Sequence, residues 1–371
     1  MAKLIEVCDI QYGFPFNSSL FSQTGKTPLI RIRDVVRGYT ETYTNEEYDD
    51  VYLVRKGDML IGMDGEFNIA RWNSEPALLN QRVCRLFPHD EVNSEYLFYL
   101  MQGILKSIED RTSFATVKHL SAKEINKINF DLPPLETQRQ IAATLDKVTA
   151  LIDIHKRKLK LLDELVKSRF VELFGDTVLN PFGWEKDLLG TVCDVRDGTH
   201  DSPQYYETGY PLVTSKNVTG GKIDLTDCSL ICEADFKKIN ERSKVDMGDI
   251  IMPMIGTVGK PLIVDIEPIF AIKNVSLIKF KANSRVLNIY VRALLQSDYF
   301  DDAVLSKVRG GTQKFISLGD IRKLEVLVPP MELQQRFAAF VEQTDKSKQS
   351  VQQSLEKLET LKKSLMQEYF G

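Results

Sequence analysis

Residues 132–141 read LPPLETQRQI and residues 328–337 read VPPMELQQRF. A chain that writes the same double proline, glutamate and glutamine-rich tract twice is constrained to an architecture of repeated units. Pro133 falls on Pro329, an offset of 196 residues (329 − 133). Upstream, KGDMLIGMDGE (56–66) answers MGDIIMPMIGT (247–257), pairing Gly57 with Gly248 and Asp58 with Asp249 at an offset of 191 (248 − 57). Nearer the start, VCDIQYG (7–13) answers VCDVRDG (192–198) at an offset of 185 (192 − 7). The drifting offset marks loop insertions between matched elements. Downstream, Phe174 and Gly175 match Phe370 and Gly371, so the expectation is two whole copies of one unit, an internal pseudo-two-fold repeat.

Each copy has two parts of different periodicity. Residues 1–134 and 177–330 are broken by glycine, proline and asparagine into short apolar runs such as DMLIGM, LLNQRVCRLF, DIIMPMI and VSLIKF, which read as strands. A short helix follows in each copy, SEYLFYLMQGIL and NIYVRALLQS, where apolar residues recur three and four apart. The fold class is α/β (mixed α+β).

The second parts, 135–176 and 331–371, read as long helices. Pro134 and Pro330 suit the first helical position, where a missing N–H costs nothing, and Glu136 and Glu332 follow in the first turn beside the positive end of the dipole. Ile141, Leu145, Val148, Ile152, His155, Leu159, Leu162, Val166, Arg169 and Leu173 then step by four and three, a heptad seam. Shifted by 196, the seam becomes Phe337, Val341, Thr344, Lys348, Val351, Leu355, Leu358, Lys362, Leu365 and Tyr369. Each helix would be roughly 50 to 60 Å long at about 1.5 Å per residue. One narrow apolar stripe cannot form a core alone, so the two helices are expected to pack antiparallel, with a strand-rich domain at each end of a dumbbell.

The composition sets outer bounds. At 371 residues, 43% hydrophobic and 27% charged, the chain can bury two ordinary cores. A net charge of −4 leaves anionic partners to be met by local patches. Five cysteines (Cys8, Cys84, Cys193, Cys228, Cys232), no leader-like apolar run and no stretch of about 20 apolar residues give the expectation of a soluble, cytoplasmic protein. Cys8 and Cys193 are matched by the repeat and read as core positions. Cys228 and Cys232 could share a helix face, but no second pair completes a zinc site.

With its proline-introduced helices, the chain resembles the specificity subunits of Type I restriction-modification systems over essentially its whole length. NPFGWEKDLLG (180–190) resembles the family's approach to a recognition domain, and NQRVCRL (80–86) its asparagine-glutamine strand; the second copy has KNVSLI (273–278) there, without the glutamine. GGTQKFISLGDI (310–321) resembles the family's small-residue and threonine turn, with SFATVKHLSAKEI (113–125) as its looser counterpart. The resemblance implies two target-recognition domains, each reading one half of a bipartite, asymmetric site on double-stranded DNA. It implies no catalysis in this chain. The helices would space the readers and dock two modification subunits, which methylate adenine with S-adenosylmethionine. Motor-nuclease restriction subunits would join for ATP- and Mg2+-dependent cleavage.

Base reading calls for Arg, Lys, Asn or Gln at base edges, and phosphate contact for cations or free backbone N–H groups. In LIRIRDV, alternation places Arg31 and Arg33 on one strand face; Gln81, Arg82 and Arg85 cluster in NQRVCRL. The second copy offers Thr214, Ser215, Lys216 and Asn217 in LVTSKNV. Lys118 and Lys314 occupy equivalent turns, and Gly65 with Glu66 and Gly256 with Thr257 mark others where backbone can approach DNA; Lys260 and Thr312 complete the set. For each, the alternative is a solvated polar surface or a simple hairpin closure. The helical cations Lys156, Arg157, Lys158 and Lys160 could equally form a solvated face.

Two rival functions compete. NPFGW superficially resembles the asparagine-proline-proline-aromatic motif of amino-methyltransferases, but Phe182 replaces the second proline, and no glycine-rich strand-to-helix turn is present for the methyl donor. A dumbbell scaffold binding only protein would use the same helices, and would show no salt-dependent DNA affinity.

Overall fold

The structure, a computed structural model, describes residues 1–111, 119–219, 221–254, 260–303 and 316–371. It contains two compact units, residues 1–156 with 353–371, and residues 157–352.

In the first unit the order is β1 (Ala2–Lys3), α1 (Leu4–Val7), β2 (Cys8–Tyr12), β3 (Thr27–Ile30), α2 (Ile32–Arg37), β4 (Tyr43–Thr44), β5 (Leu53–Val54), β6 (Met59–Gly62) and β7 (Asn68–Arg71). Then come β8 (Ala77–Leu79), β9 (Val83–Pro88), α3 (Ser94–Arg111), α4 (Ala122–Ile125), β10 (Asn129–Phe130) and the start of α5 (Leu135–Phe174). One sheet has the order β2-β9-β6-β7 and a second β4-β3-β8-β5, in which β3 and β8 are parallel with Ile30 opposite Leu79. Strand β6 is buried on both faces, which is why DMLIGM reads as a continuous apolar run. Successive side chains point to opposite faces, so Met59 and Ile61 join the core under α3 while Leu60 packs with Trp72, Val35 and Ile30.

The second unit contains β11 (Glu185–Leu188), α6 (Leu189–Val192), β12 (Asp194–Asp197), β13 (Tyr210–Val213), β14 (Val218–Thr219), β15 (Lys222–Ile223), β16 (Ser229–Ile231), α7 (Glu233–Ser243), β17 (Ile250–Pro253) and β18 (Leu262–Ile263). It continues with β19 (Ala271–Ile272), β20 (Val275–Lys279), α8 (Asn288–Leu295), α9 (Asp298–Ala303), α10 (Leu318–Arg322), β21 (Glu325–Val328) and the start of α11 (Met331–Phe370), whose end belongs to the first unit as the end of α5 belongs to this one. Sheet β12-β20-β17-β18 repeats the order of β2-β9-β6-β7, and β16-β13-β19 repeats β4-β3-β8 with the same parallel pair, Val213 opposite Ile272. Pairing of β11 with β21 repeats that of β1 with β10. The sequence repeat is therefore a repeat of topology.

The matched motifs are structural devices. In KGD and MGD, Asp58 and Asp249 accept the backbone N–H of Arg55 and Asp246, each at 2.8 Å, behind glycines at φ 96° and 85°. Each carboxylate also receives a neighbouring cation, Arg85 at 2.6 Å or Lys279 at 2.5 Å. Cys8 and Cys193 are core thiols whose pKa burial pushes up to about 12.

The proline tract is a joint. Pro134 and Pro330 precede the first helical residue rather than occupying it, and their carbonyls accept the N–H of Gln138 and Gln334. Both glutamine side chains are fully buried. Gln138 Oε1 accepts the Asn93 N–H at 2.8 Å and its Nε2 donates to the carbonyls of Glu91 (3.1 Å) and Pro133 (2.8 Å). Gln334 makes the same set with the Leu287 N–H (2.8 Å) and the carbonyls of Arg285 (3.0 Å) and Pro329 (2.8 Å). Each long helix is thus pinned to the loop that starts α3 or α8.

Every position of both heptad seams is buried or half-buried. In the first unit Ile141 shares a core cluster with Phe370 while Lys156 pairs with Glu359, so the two helical segments run antiparallel. In the second, Asp163 pairs with Lys348 and Phe170 packs edge-on against Phe337, again antiparallel. NPFGW ends α5. Gly175 at φ 80° donates to the Val171 carbonyl, the Asn180 side chain bonds the N–H and carbonyl of Trp184, and Trp184 Nε1 donates to the Phe174 carbonyl.

Three expectations from sequence are corrected. Arg31 and Arg33 do not share a strand face: β3 ends at Ile30, Arg31 precedes α2, and Arg33 lies in its first turn, because buried Asp34 accepts the Arg31 N–H at 2.9 Å. LLNQRVCRLF is two strands broken by a turn at Asn80–Arg82. Cys228 and Cys232 share no helix; the first precedes β16 and the second caps α7. No helix among the described residues is long and apolar enough to cross a membrane.

Candidate nucleic-acid interface

Parallel pairing decides which loops meet. Since β3 and β8 run the same way, Arg31 after Ile30 and Asn80–Arg82 after Leu79 leave the sheet on the same side. The β6–β7 hairpin turn closes there too: a Cβ on Gly62 would meet Ile32 Cγ1 at 3.2 Å, so α2 sits against this turn. Arg31, Arg33, Gly65, Glu66, Gln81 and Arg82 are consequently gathered at one end of the first unit, all exposed. Gly65 adopts φ 73° at the turn with open space around it, a conformation that favours glycine.

Their surroundings differ. Among the described residues Arg33 has only a loose contact, 3.7 Å, to Asp34. Arg82 is held by Asp64 at 3.1 Å, and the other Asp64 oxygen takes His119 Nδ1. Arg85 is excluded from the surface: it is 7% exposed, bound to Asp58 and to Gln11 Oε1 (each 2.6 Å), and donates to the carbonyls of Val51 and Leu53. It supports the sheet.

The second unit builds the same end from other residues. Thr214 precedes a short 3-10 turn, Ser215–Asn217, and its N–H and hydroxyl both reach Asn217 Oδ1 at 3.0 Å. This is the device of Arg31 and Asp34, so Arg33 and Lys216 occupy equivalent exposed positions. Asn217 is buried and spent on its own turn; Ser215 is half-buried, Lys216 and Lys260 exposed. Lys118, Thr257, Thr312 and Lys314, with Gly256, lie outside the described residues.

Sequence reasoning passed over a cluster at this end. After β19, Lys273 Nζ donates to Ser202 Oγ at 2.7 Å, and Asn274 Oδ1 lies 2.8 Å from His200 Nδ1. His200 Nε2 lies 2.8 Å from Asp197 Oδ2, whose other oxygen takes Arg242. The available signal was KN standing where the first copy has QR. Among the described residues no group of three or more His, Cys, Asp or Glu is placed to hold a metal ion.

Two diverged copies of one mixed α/β unit, each continued by a long helix and differing in the residues at one loop end, define a tandem-repeat protein. The family model for the Type I restriction modification DNA specificity domain matches residues 1–164 and 181–360, and the chain belongs to this family. It is 29% identical to the Type I restriction enzyme EcoBI specificity subunit of Escherichia coli over 403 aligned residues, covering 98% of this chain and 84% of that protein. It is 24% identical to the MjaVIII specificity subunit of Methanocaldococcus jannaschii, covering 92% and 88%. The fold matches the Type-I restriction-modification system S subunit from M. genitalium with a TM-score of 0.56 at 15% identity, over 98% of this chain and 94% of that one. A chain solved in work on complex assembly and conformational transition of the type I R-M system matches with a TM-score of 0.56 at 18% identity, over 100% and 96%. Family membership displaces both rivals, the methyltransferase and the protein-only scaffold.

Proposed function

We propose that this chain selects the DNA sequence for a Type I restriction-modification complex, each unit reading one half of a bipartite, asymmetric site. The observation that carries this reading is that the two units share their main-sheet order, aspartate turn and glutamine joint while differing at the gathered loops: Arg31, Arg33, Gln81 and Arg82 against Thr214, Lys216, Lys273 and Asn274. Shared supports with different tips are what two readers of two words require. In this reading, residues 1–134 and 177–330 are the readers and 135–176 and 331–371 the spacer helices. Two modification subunits dock on the chain and supply S-adenosylmethionine-dependent adenine methylation; restriction subunits supply the ATP- and Mg2+-dependent motor and nuclease.

The test is to express the chain with a modification subunit of its system in cells lacking adenine methylation, and to sequence the methylome. A bipartite motif that appears only when both are present is the expected result. Methylation by the chain alone, or a motif unchanged by omitting it, overturns the proposal.

Arg33 and Lys216 act as equivalent phosphate contacts in this reading. Arg33→Ser and Lys216→Ser each weaken binding of the assembled complex to cognate and non-cognate duplex alike, and each flattens the log–log salt dependence by about 0.9. An unchanged slope removes them from the interface.

A further inference from the structure

We propose that Arg82 and Asn274 are the matching base-reading residues of the two units, Arg82 for a guanine and Asn274 for an adenine. This rests on the half-site reading above and names the residues that make the two words differ.

Hydrogen bonding establishes the equivalence. Gly13 N–H donates to the Val83 carbonyl at 3.1 Å, and Gly198 N–H to the Val275 carbonyl at 3.0 Å. Phe14 N–H donates to Leu79, and Thr199 N–H to Ile272, at 2.9 and 3.0 Å. A Cβ on Gly13 would lie 2.1 Å from the Asn80 carbonyl oxygen and one on Gly198 2.2 Å from that of Ile272, so both glycines are pressed against this connection, which is one residue shorter in the second unit. Arg82 and Asn274 are therefore the residues immediately before the same strand, at the loop end where the other candidates gather.

Each side chain is held by an aspartate–histidine pair. Asp64, 24% exposed, bridges Arg82 and His119; the guanidinium is 53% exposed and, among the described residues, gives its hydrogen bonds only to Asp64. In the second unit the order is changed: Asp197, 9% exposed, takes His200 and Arg242, and His200 holds Asn274 Oδ1. Asn274 also has φ 56°, a left-handed backbone that asparagine tolerates better than most residues and that fixes where its carboxamide leaves the chain. A fork held by one edge and a carboxamide held at one end by the imidazole keep donors and acceptors for a ligand. Guanidinium to guanine O6 and N7, and carboxamide to adenine N6 and N7, are the pairings these groups fit in the major groove. A side-chain orientation fixed by neighbouring groups is what discrimination between bases needs, since a mobile side chain satisfies several.

The test is methylation by the full chain with its modification subunit on duplex pools randomised across the half-sites, read by sequencing. Asn274→Gly suits the left-handed backbone and removes only the carboxamide, so folding is retained. It is expected to lose about 10- to 100-fold discrimination at one adenine-bearing position of one half-site. Arg82→Gln is expected to do so at one guanine-bearing position of the other. His200→Ala, a positioning change, relaxes the same base as Asn274→Gly to a smaller extent, an effect that a purely structural role would not confine to one position. A wild-type motif left unchanged by both Asn274→Gly and Arg82→Gln overturns this proposal and leaves the half-site reading intact. Uniform loss across all positions also overturns it. A wild-type chain that directs no bipartite motif removes the half-site reading and this proposal with it.

Discussion

Gln334→Ala is expected to destabilise the second unit by about 3 kcal/mol, and Gln138→Ala the first by a similar amount. Each glutamine is buried and makes three hydrogen bonds, one accepted from a backbone N–H and two donated to carbonyls. A typical intramolecular hydrogen bond is worth about 1 kcal/mol net, and truncation leaves its buried partners unsatisfied. A loss of that size lowers the melting temperature of a unit of this size by roughly 6 to 12 °C. Gln334→Glu is expected to be at least as damaging: it keeps the acceptor for the Leu287 N–H but turns a carboxylate oxygen toward the carbonyls of Arg285 and Pro329. Trp72 lies in the first core and Trp184 caps α5 in the second unit, so Trp72→Phe leaves a single tryptophan, excited selectively at its red edge, to report on the second transition. A Gln334→Ala chain that melts within a degree of the parent shows the joint to be dispensable.

Exchanging residues 1–134 for the matching segment of a relative with another specificity is expected to replace one half of the methylated site and leave the other untouched. Specific and non-specific duplexes differ by about a thousandfold or more in affinity for proteins of this kind, so the switch is read as the disappearance of one motif and the appearance of another. The exchange crosses the seat of the helix: the Gln138 bonds to Asn93, Glu91 and Pro133 use backbone groups that any replacement segment also carries. Tyr99 donates its hydroxyl to Asp146 at 2.8 Å, and Tyr96 packs on Phe370. A donor segment that keeps both tyrosines preserves this seat. A motif changed in both halves contradicts independent readers.

Much of this architecture was legible because repetition is a long-range signal carried by sequence itself. The offset between LPPLETQ and VPPMELQ located both joints, and the step of four and three residues located the seam before any contact was known. Local pattern was weaker where two periods fit. The tract IRIR alternates like a strand, but burial of Asp34 against the Arg31 N–H and Thr40 Oγ1 starts a helix at Ile32. In LLNQRVCRLF the apolar residues continue through a turn, because both flanking strands are buried on both faces.

The loop end was only partly readable for a related reason. Arg82 and Arg85 are three residues apart with similar neighbours in sequence, yet one projects from the turn while the other is buried against Asp58 and Gln11. Nothing local distinguishes them, since Gln11 is 74 residues away from Arg85. Asp64 and His119 meet across 55 residues, and Arg242 reaches Asp197 across 45. By itself the sequence determined that two copies of one unit exist, where each passes into its helix, and which helix face is apolar, since periodicity and repetition are written along the chain. Only the tertiary structure decided which polar residues stand together at the loop end and which are consumed in supporting it, because parallel pairing of β3 with β8 and of β13 with β19 brings together segments that sequence keeps far apart.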